Sequence, residues 1–130
     1  MDFNDKQSIY LQIVDFLNEQ ILLERWQSEE RIPSVRELAS MVEVNPNTVM
    51  RSFEFLQQQE VIYNKRGIGY FVAPNAKELI IKYRRARFME NELPLFFKSI
   101  YLLEIDFEEI LHKYEDFKAK NYSDQNQNIK

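Results

Sequence analysis

The chain has 130 residues, of which 45% are hydrophobic, so its length suits one modest globular domain with an appendage. It contains no cysteine and one histidine, His112, which excludes disulfide bonds and thiolate or multi-histidine metal sites. The N-terminus has no apolar run of signal-peptide length, and no segment approaches about 18 consecutive apolar residues. These features predict a cytoplasmic protein without a membrane span.

The net charge of −4 is unevenly distributed along the chain. Residues 1–30 carry a net charge of −5 and residues 92–130 carry −3, whereas residues 31–75 carry +1 and residues 76–91 carry +3. Because electrostatic steering depends on local charge, the positive middle can still face an anionic partner. An acidic chain binds non-specific DNA poorly, so specific contacts must supply more of any affinity for DNA.

The first predicted helix spans roughly residues 8–25. Its apolar residues recur at helical spacing and predict a stripe that faces the core. This stripe comprises Ile9, Ile13, Phe16, Leu17 and Ile21. A short charged loop over residues 27–31 follows the helix.

Two helices with clear starting signals come next. Ser34–Glu37 reads Ser-Val-Arg-Glu, a capping box in which the serine hydroxyl accepts a backbone N–H and Glu37 reaches back to the Ser34 N–H. Asn45 suits the N-cap of the second helix, and Pro46 suits its first position, where the missing N–H costs nothing. The short turn between the helices is typical of a helix-turn-helix. The predicted buried stripe of the second helix consists of Val49, Phe53 and Leu56.

A glycine-hinged hairpin follows the two helices. Residues 61–64 and 70–72 read as short strands, and Lys65–Gly69 joins them. Gly67 and Gly69 are the only glycines of the chain, and glycine permits a positive φ and a close approach of the backbone to another molecule. Two helices across a tight turn, followed by such a hairpin, predict a winged helix-turn-helix that binds DNA.

The rest of the chain predicts two further helices and a tail. Pro74 and Asn75 mark a boundary, after which the first of these helices begins. A second helix, starting near Pro94, carries an apolar heptad seam at Phe96, Ile100, Leu103, Phe107, Ile110, Tyr114 and Phe117. Two helices alone would leave much of this aromatic surface uncovered, so we expect a second copy of the chain to cover it. Residues 123–130 are polar and predict a disordered tail.

The predicted fold class is therefore mainly α with a small β-wing. A winged helix-turn-helix DNA-binding domain occupies residues 1–74, and a two-helix dimerisation region occupies residues 75–122. The predicted dimerisation residues are Leu79, Tyr83, Phe96, Ile100, Leu103, Phe107, Ile110 and Tyr114. A dimer is also what a palindromic DNA site requires.

Three motifs of this chain occur together in one known family. They are Ile32–Ala39 (Ile-Pro-Ser-Val-Arg-Glu-Leu-Ala), Asn47–Val49 (Asn-Thr-Val) and Gly67–Gly69 (Gly-Ile-Gly), and Ile9–Ile13 adds support. With these motifs, residues 8–73 resemble the GntR family of bacterial transcription regulators. The remaining chain is shorter than the large effector domain of most members. The chain therefore resembles the short YtrA-like subfamily, whose tail is mainly a dimerisation element.

The chain departs from this family at several positions. Pro46 and Met50 stand where many relatives have arginine, so base reading must differ from that of those relatives. Glu29 and Glu60 stand where relatives usually have glycine, which puts a side chain where the backbone favours an unusual conformation.

The candidate DNA-contacting residues come from the two helices and the hairpin. They are Arg36, Asn47, Thr48, Met50, Arg51, Lys65, Arg66 and Gly67. Asn47 can pair with adenine, and Arg51, one turn further, can reach guanine or a phosphate. The resemblance implies a DNA contact for Arg36, and an arginine such as Arg66 is favoured in a narrow minor groove.

Each candidate also has a plainer interpretation. Asn47 could make a local hydrogen bond at the helix start, Thr48 could act as a cap, and Met50 could simply be exposed. Arg36 could pair with a nearby acid of its own helix, and Arg51 could pair with Glu54. Lys65 and Arg66 could belong to an ordinary charged turn.

Other features favour structural roles. A basic run is most simply a solvated helix face, and it comprises Lys82, Arg84, Arg85 and Arg87. His112, as a lone histidine, is interpreted as structural. An aromatic set could line a small-molecule pocket but is more often core or dimer interface, and it comprises Tyr83, Phe96, Phe97, Tyr101, Phe107 and Tyr114. A small-molecule effector is conceivable, but no feature of the sequence supports one.

The sequence thus predicts a transcription regulator, specifically a repressor, that binds a palindromic DNA operator as a homodimer. The recognition helix would enter the major groove and the wing the adjacent minor groove. The alternative is a winged-helix protein-interaction module that does not bind DNA. No nucleophile–base set, metal constellation or nucleotide fingerprint is present in the sequence, so neither an enzyme nor a cofactor is predicted.

Overall fold

The computed structural model describes residues 1, 3 and 7–123, and the chain divides into two compact units, Met1–Arg85 and Ala86–Lys130. The elements in chain order are α1 (Ile9–Leu22), α2 (Val35–Val42), α3 (Pro46–Gln58), β1 (Ile62–Lys65), β2 (Gly69–Val72), α4 (Ala76–Arg87), a π-helical turn (Phe88–Glu92), α5 (Leu93–Leu102) and α6 (Phe107–Tyr122). The chain is mainly helical with a two-stranded wing, so the predicted fold class is confirmed. Apart from Ser123, the predicted disordered tail lies outside the described residues.

The core of the first unit is built by the inward faces of its helices and by the base of the wing. From α1 it takes Ile13, Leu17 and Ile21, while Phe16 is half-buried at its edge. Ile9 is 45% exposed, so its assignment to the core stripe was wrong. It is the first residue of α1, and the stripe reaches the core only from the second turn onward.

The predicted signals at the start of α2 and α3 are confirmed. The Ser34 hydroxyl accepts a hydrogen bond from the Glu37 N–H, and the Glu37 carboxylate accepts one from the Ser34 N–H, which completes the capping box. Asn45 caps α3, and Pro46 is its first residue. The predicted stripe of Val49, Phe53 and Leu56 is fully buried.

The wing is an antiparallel hairpin in which Ile62 pairs with Val72 and Lys65 pairs with Gly69. The loop before α2 adds a third extended segment to this hairpin. Glu29 N–H donates to Val72 O, Val72 N–H donates to Glu30 O, and Ile32 N–H donates to Tyr70 O. The charged loop over residues 27–31 is therefore tied to β2 rather than free, because its backbone supplies partners for the outer edge of the hairpin.

Helices of this chain repeatedly end on a glutamate with positive φ. Glu24, Glu60 and Glu104 follow the ends of α1, α3 and α5 with φ of 60°, 63° and 53°. In each case the following residue donates its N–H to the carbonyl five residues earlier, for example Val61 to Leu56, which is the hydrogen bond of a Schellman motif. Glu29 also has a φ of 63°. The unusual backbone expected at Glu29 and Glu60 is thus confirmed.

The second unit contains the π-helical turn, α5 and α6, and none of the residues in these elements is buried. The prediction that the heptad seam lies on one continuous helix starting near Pro94 was wrong, because that helix ends at Leu102 and α6 begins at Phe107. Glu104 adopts the left-handed conformation, and the Asp106 carboxylate accepts the Glu108 N–H as an N-cap, so local capping interrupts the helix in mid-seam.

Candidate nucleic-acid interface

The outward face of α3 begins at a well-defined cap. The Asn45 side chain accepts a hydrogen bond from the Asn47 N–H over 2.8 Å, so Asn45 rather than Asn47 satisfies the helix start. Asn47 is left with an exposed side chain two residues before the buried Val49. Asn47 thus makes the local hydrogen bond of the helix start through its backbone N–H, and its side-chain amide is left exposed.

Thr48 takes part in this first turn through its backbone. Its N–H donates to the Asn45 carbonyl over 3.0 Å, and its own carbonyl accepts a hydrogen bond from the Ser52 hydroxyl over 3.3 Å. The residue is half-buried. Thr48 is the least accessible of the eight candidate residues. This position suits a contact of its hydroxyl with a phosphate more than a contact with a base deep in a groove.

Met50 is 37% exposed on the same face and links α3 to the wing. The Tyr70 hydroxyl on β2 donates to the Met50 sulfur over 3.9 Å. The Tyr70 ring also meets the edge of Phe53, with ring centroids 4.8 Å apart. These contacts hold the start of β2 against α3, so the wing has a defined position relative to that helix.

Arg51 lies on α3 one turn after Asn47, and its partner is an aromatic ring rather than an acid. Its guanidinium carbon is 3.8 Å from the centroid of the Tyr10 ring on α1. Arg51 is not paired with Glu54, and the ion pairs Lys77–Glu24 and Lys118–Glu115 lie elsewhere in the chain. The guanidinium lies over the ring and the residue is exposed, which leaves N–H donors of the group for another acceptor.

Arg36 is exposed near the start of α2. It takes part in neither the Lys77–Glu24 nor the Lys118–Glu115 ion pair, and the intrahelical pair considered for it is not formed. The nearby Glu37 is held by the capping box instead. Its hydrogen bond from the Ser34 N–H, with help from the Ser34 side chain, lowers the pKa of the Glu37 carboxyl below 4.5.

The wing turn presents three of the predicted residues. Lys65, Arg66 and Gly67 are all exposed, and the Ile68 N–H donates to Lys65 O over 2.9 Å to close the turn. The Lys65 ammonium lies 4.5 Å from the centroid of the Phe71 ring, which steadies its long side chain. Gly67 has φ of 80° and open space around the position of a Cβ, as suits a backbone that approaches a ligand.

Arg31 is a cation at the wing that the sequence reasoning missed. Its Nε atom donates to the Ile68 carbonyl over 3.2 Å, and the side chain is exposed. Arg31 also forms an isolated bridge with Phe71. The contact spans 37 positions of sequence, so only the Ile32-Pro33-Ser34 motif that follows Arg31 and the paired glycines could have pointed to it.

The predicted dimerisation residues are exposed or half-buried in the units that contain them. In the first unit, Leu79 is half-buried and Tyr83 is exposed on α4. In the second unit the exposed members are Phe96, Leu103, Phe107 and Tyr114, and the half-buried ones are Ile100 and Ile110. Leu103 caps the end of α5 rather than lying inside a continuous helix. Phe117, the last residue of the expected seam, is also exposed.

The remaining candidates show no site of their own. His112 is exposed on α6, and three of the four cations in the basic run of α4 are exposed, with Arg84 half-buried. Within the described part of the chain no group of three His, Cys, Asp or Glu side chains could hold a metal ion. No described helix is long and apolar enough to cross a membrane. A cavity of about 310 Å³ lies beside Trp26 and Lys77 and includes none of the aromatic set.

Comparisons with known proteins agree with this architecture. The sequence profile of the bacterial regulatory proteins of the gntR family matches residues 9–72. The chain is 30% identical to the HTH-type transcriptional regulator YhcF of Bacillus subtilis, over 88% of this chain and 93% of that protein. It is 33% identical to the HTH-type transcriptional repressor YtrA of Bacillus subtilis, over 63% of each chain.

A crystal structure described as a transcriptional regulator of the GntR family from Bacteroides thetaiotaomicron shares 51% identity, with a TM-score of 0.65 over 87% of this chain and 98% of that one. The winged helix-turn-helix and its exposed polar and basic residues define the class of protein as a DNA-binding transcription regulator. Within that class, the chain belongs to the GntR family, and it is similar to the relative YtrA.

Proposed function

We propose that this protein is a homodimeric repressor that binds a palindromic DNA operator, with α3 in the major groove and the wing in the adjacent minor groove. The observation that carries the proposal is the outward face of α3. Asn47, Met50 and Arg51 are exposed there, while Asn45 caps the helix and Phe53 anchors it in the core. An amide and a guanidinium one turn apart are the groups that read adenine and guanine edges.

The other candidates fit backbone and minor-groove contacts. Arg36 on α2 and the Thr48 hydroxyl suit phosphate oxygens, which position a protein on the duplex. The Met50 side chain suits a thymine methyl group. At the wing, Lys65 and Arg66 bring positive charge to a narrow groove, and the Gly67 backbone allows close approach to the phosphates.

The proposed dimer is supported by the second unit. Its described helices bury no residue, although they carry many large apolar side chains, among them Phe96, Phe107, Tyr114 and Phe117. Apolar surface on this scale is stabilised when a partner removes it from water. A second copy of the chain is the proposed partner because two linked DNA-binding units match the two halves of a palindrome.

Repression is proposed from the relative YtrA, which is named a transcriptional repressor. A repressor needs DNA affinity and an operator that overlaps a promoter, and the proposed dimer supplies the first of these. The proposed site of action is the cytoplasm, where bacterial operator DNA lies. The proposal includes no cofactor, metal or catalytic step.

The DNA-binding part of the proposal is tested by selecting duplexes from a randomised pool at near-physiological salt and sequencing those retained. We expect an enriched inverted repeat. Arg36→Ala and Arg51→Ala should each weaken binding to it by about 1–3 kcal/mol without changing the oligomeric state. Arg25→Ala is the matched control and should leave binding unchanged, because Arg25 is an exposed arginine that follows the C-terminal end of α1. Absence of any enrichment would favour the protein-interaction module instead.

The dimer is tested by a single charge on α6. Tyr114→Glu places a carboxylate on the predicted interface, where it would lose water, so we expect light scattering to show monomers at concentrations at which the parent is dimeric. Ala119→Glu adds the same charge to α6 away from that face and should leave the dimer intact. A parent chain that is monomeric, or a Tyr114→Glu variant that dimerises as well as the parent, would contradict the proposal.

A further inference from the structure

Tyr10, on α1, is contacted by three residues of α3. The guanidinium carbon of Arg51 lies 3.8 Å from the centroid of the Tyr10 ring. The Phe55 ring makes a T-shaped contact with the same tyrosine, with centroids 6.2 Å apart and an interplanar angle of 67°. The fully buried Ser52 donates its hydroxyl to the Tyr10 carbonyl over 2.7 Å. Three residues of α3 therefore hold Tyr10 in place. Ser52 binds its backbone, and Arg51 and Phe55 contact its ring.

We propose that Tyr10 is a positioning residue for DNA recognition, which holds the Arg51 guanidinium over its ring so that the donor edge of Arg51 is presented at one base step of the operator. The inference rests on the proposed function of α3. It extends the site from the recognition helix to α1, which carries none of the predicted DNA-contacting residues.

The physical argument concerns the freedom of a long side chain. A free arginine populates many rotamers, and binding DNA must freeze them at a cost in entropy. A guanidinium stacked on an aromatic face is already restricted before DNA arrives, because the ring attracts the cation through its quadrupole. Stacking uses the flat face of the group and leaves its N–H donors free in the plane, where guanine O6 and N7 are read.

The plainer role for Tyr10 is packing between α1 and α3. A packing residue would stabilise the whole unit, so its loss would weaken binding to every DNA sequence and lower the melting temperature. A positioning residue acts through Arg51 alone. Its loss would relax discrimination only where Arg51 reads the operator, and it would have no effect once Arg51 is absent.

The experiment is a double-mutant cycle on the full chain with the selected duplex. Tyr10→Leu keeps an apolar side chain against Phe55 but removes the ring, and we expect it to lower affinity about two- to five-fold. Tyr10→Phe is the matched control, because it keeps the ring, and we expect affinity within two-fold of the parent. In the Arg51→Ala background, Tyr10→Leu should change affinity no further.

Selection from the randomised pool gives the specificity readout. Tyr10→Leu and Arg51→Ala should lose preference at the same base pair, and all other positions should keep theirs. Equal losses from Tyr10→Leu with and without Arg51, or a preference lost evenly across the site, would overturn the proposal and assign Tyr10 to packing.

A second readout needs no DNA. In the free protein the Arg51 Nε–H proton should show a ring-current shift in NMR spectra, kept in Tyr10→Phe and lost in Tyr10→Leu. If the parent retains no duplex, the proposed function fails, and a shift that persists in Tyr10→Leu would separately overturn the role of Tyr10. If the parent binds but the cycle shows no coupling, only the positioning role fails.

Discussion

Arg31 crosses the wing at Gly69, where an added Cβ would displace the arginine side chain. The Arg31 Nε atom donates to the Ile68 carbonyl, and a Cβ built on Gly69 would lie 2.8 Å from that same nitrogen. Gly69 also has φ of 143°, a conformation that L side chains rarely adopt. The second wing glycine therefore serves the internal packing of the wing, whereas Gly67, with nothing within 4 Å, is free to face a ligand.

Gly69→Ala should consequently destabilise the first unit more than Gly67→Ala does. Both variants strain a backbone with positive φ, which costs about 1 kcal/mol at Gly67 and more at the φ of Gly69, and only Gly69→Ala also displaces Arg31. We expect losses of about 2 and about 1 kcal/mol in the free energy of unfolding, measured with urea. Arg31→Ala combined with Gly69→Ala should recover part of the difference, and equal losses in the two single variants would contradict this account.

The helix-turn-helix was predictable because its determinants are local. Ser34 and Glu37 lie within one turn of each other, and Asn45 and Pro46 are adjacent, so their roles follow from sequence spacing alone. The exposed position of Asn47 and Arg51 followed from the buried stripe on the other side of α3. Local patterns of this kind were enough to predict which residues of α2 and α3 belong to the candidate site.

What sequence reasoning missed depends on distant partners or on the competition between local signals. Arg31 contacts the wing residue Ile68, which is 37 positions away in the sequence. Arg51 contacts Tyr10 on α1 instead of pairing with Glu54 on its own helix. The expected seam on one C-terminal helix satisfied a heptad pattern, yet the Glu104–Asp106 segment ends one helix and caps the next. Heptad spacing reports which residues can share a face, but a strong N-cap decides where a helix begins.

The capping box of α2 should contribute measurably to stability. Ser34→Ala removes the acceptor of the Glu37 N–H, so we expect a loss of about 1 kcal/mol in the free energy of unfolding. The matched control is Ser40→Ala, because Ser40 is exposed within the same helix, and it should leave stability almost unchanged. Equal effects from both serines would show that the cap does not stabilise the fold.

The same cap predicts a pH dependence with a definite sign. The hydrogen bond from the Ser34 N–H lowers the pKa of the folded Glu37 carboxyl below its usual 4.5. Its contribution to stability is therefore fully present above pH 4.5 and is lost as the pH falls through the lowered pKa. The difference in unfolding free energy between the parent and Glu37→Gln should shrink below pH 4.5, and a constant difference down to pH 3 would contradict the assignment.

Replacing Glu60, the glutamate that follows the end of α3, with glycine should increase the stability of the fold. Glu60 has φ of 63°, which costs a non-glycine residue about 1 kcal/mol, and its charge lies near the negative end of the helix dipole. We therefore expect Glu60→Gly to raise the free energy of unfolding by about 1 kcal/mol. Glu54→Gly, within the same helix, should lower it by a similar amount. Thermal unfolding of both variants checks the opposite signs, and a loss in Glu60→Gly would mean that its side chain makes a favourable contact.

The cations of the wing should determine part of the salt dependence of DNA binding. Each phosphate neutralised by a cation contributes about 0.9 to the slope of log K against log salt concentration. Lys65 and Arg66 are both exposed on the turn, so Lys65→Gln or Arg66→Gln should each lower the magnitude of that slope. The proposed homodimer would present every substituted cation twice, so we expect a decrease of about 1.8 for each substitution rather than about 0.9. Lys113→Gln on α6 serves as a charge-matched control and should leave the slope unchanged. A decrease near 0.9 would indicate that one wing of the dimer contacts the DNA, and an unchanged slope would remove the wing from the interface.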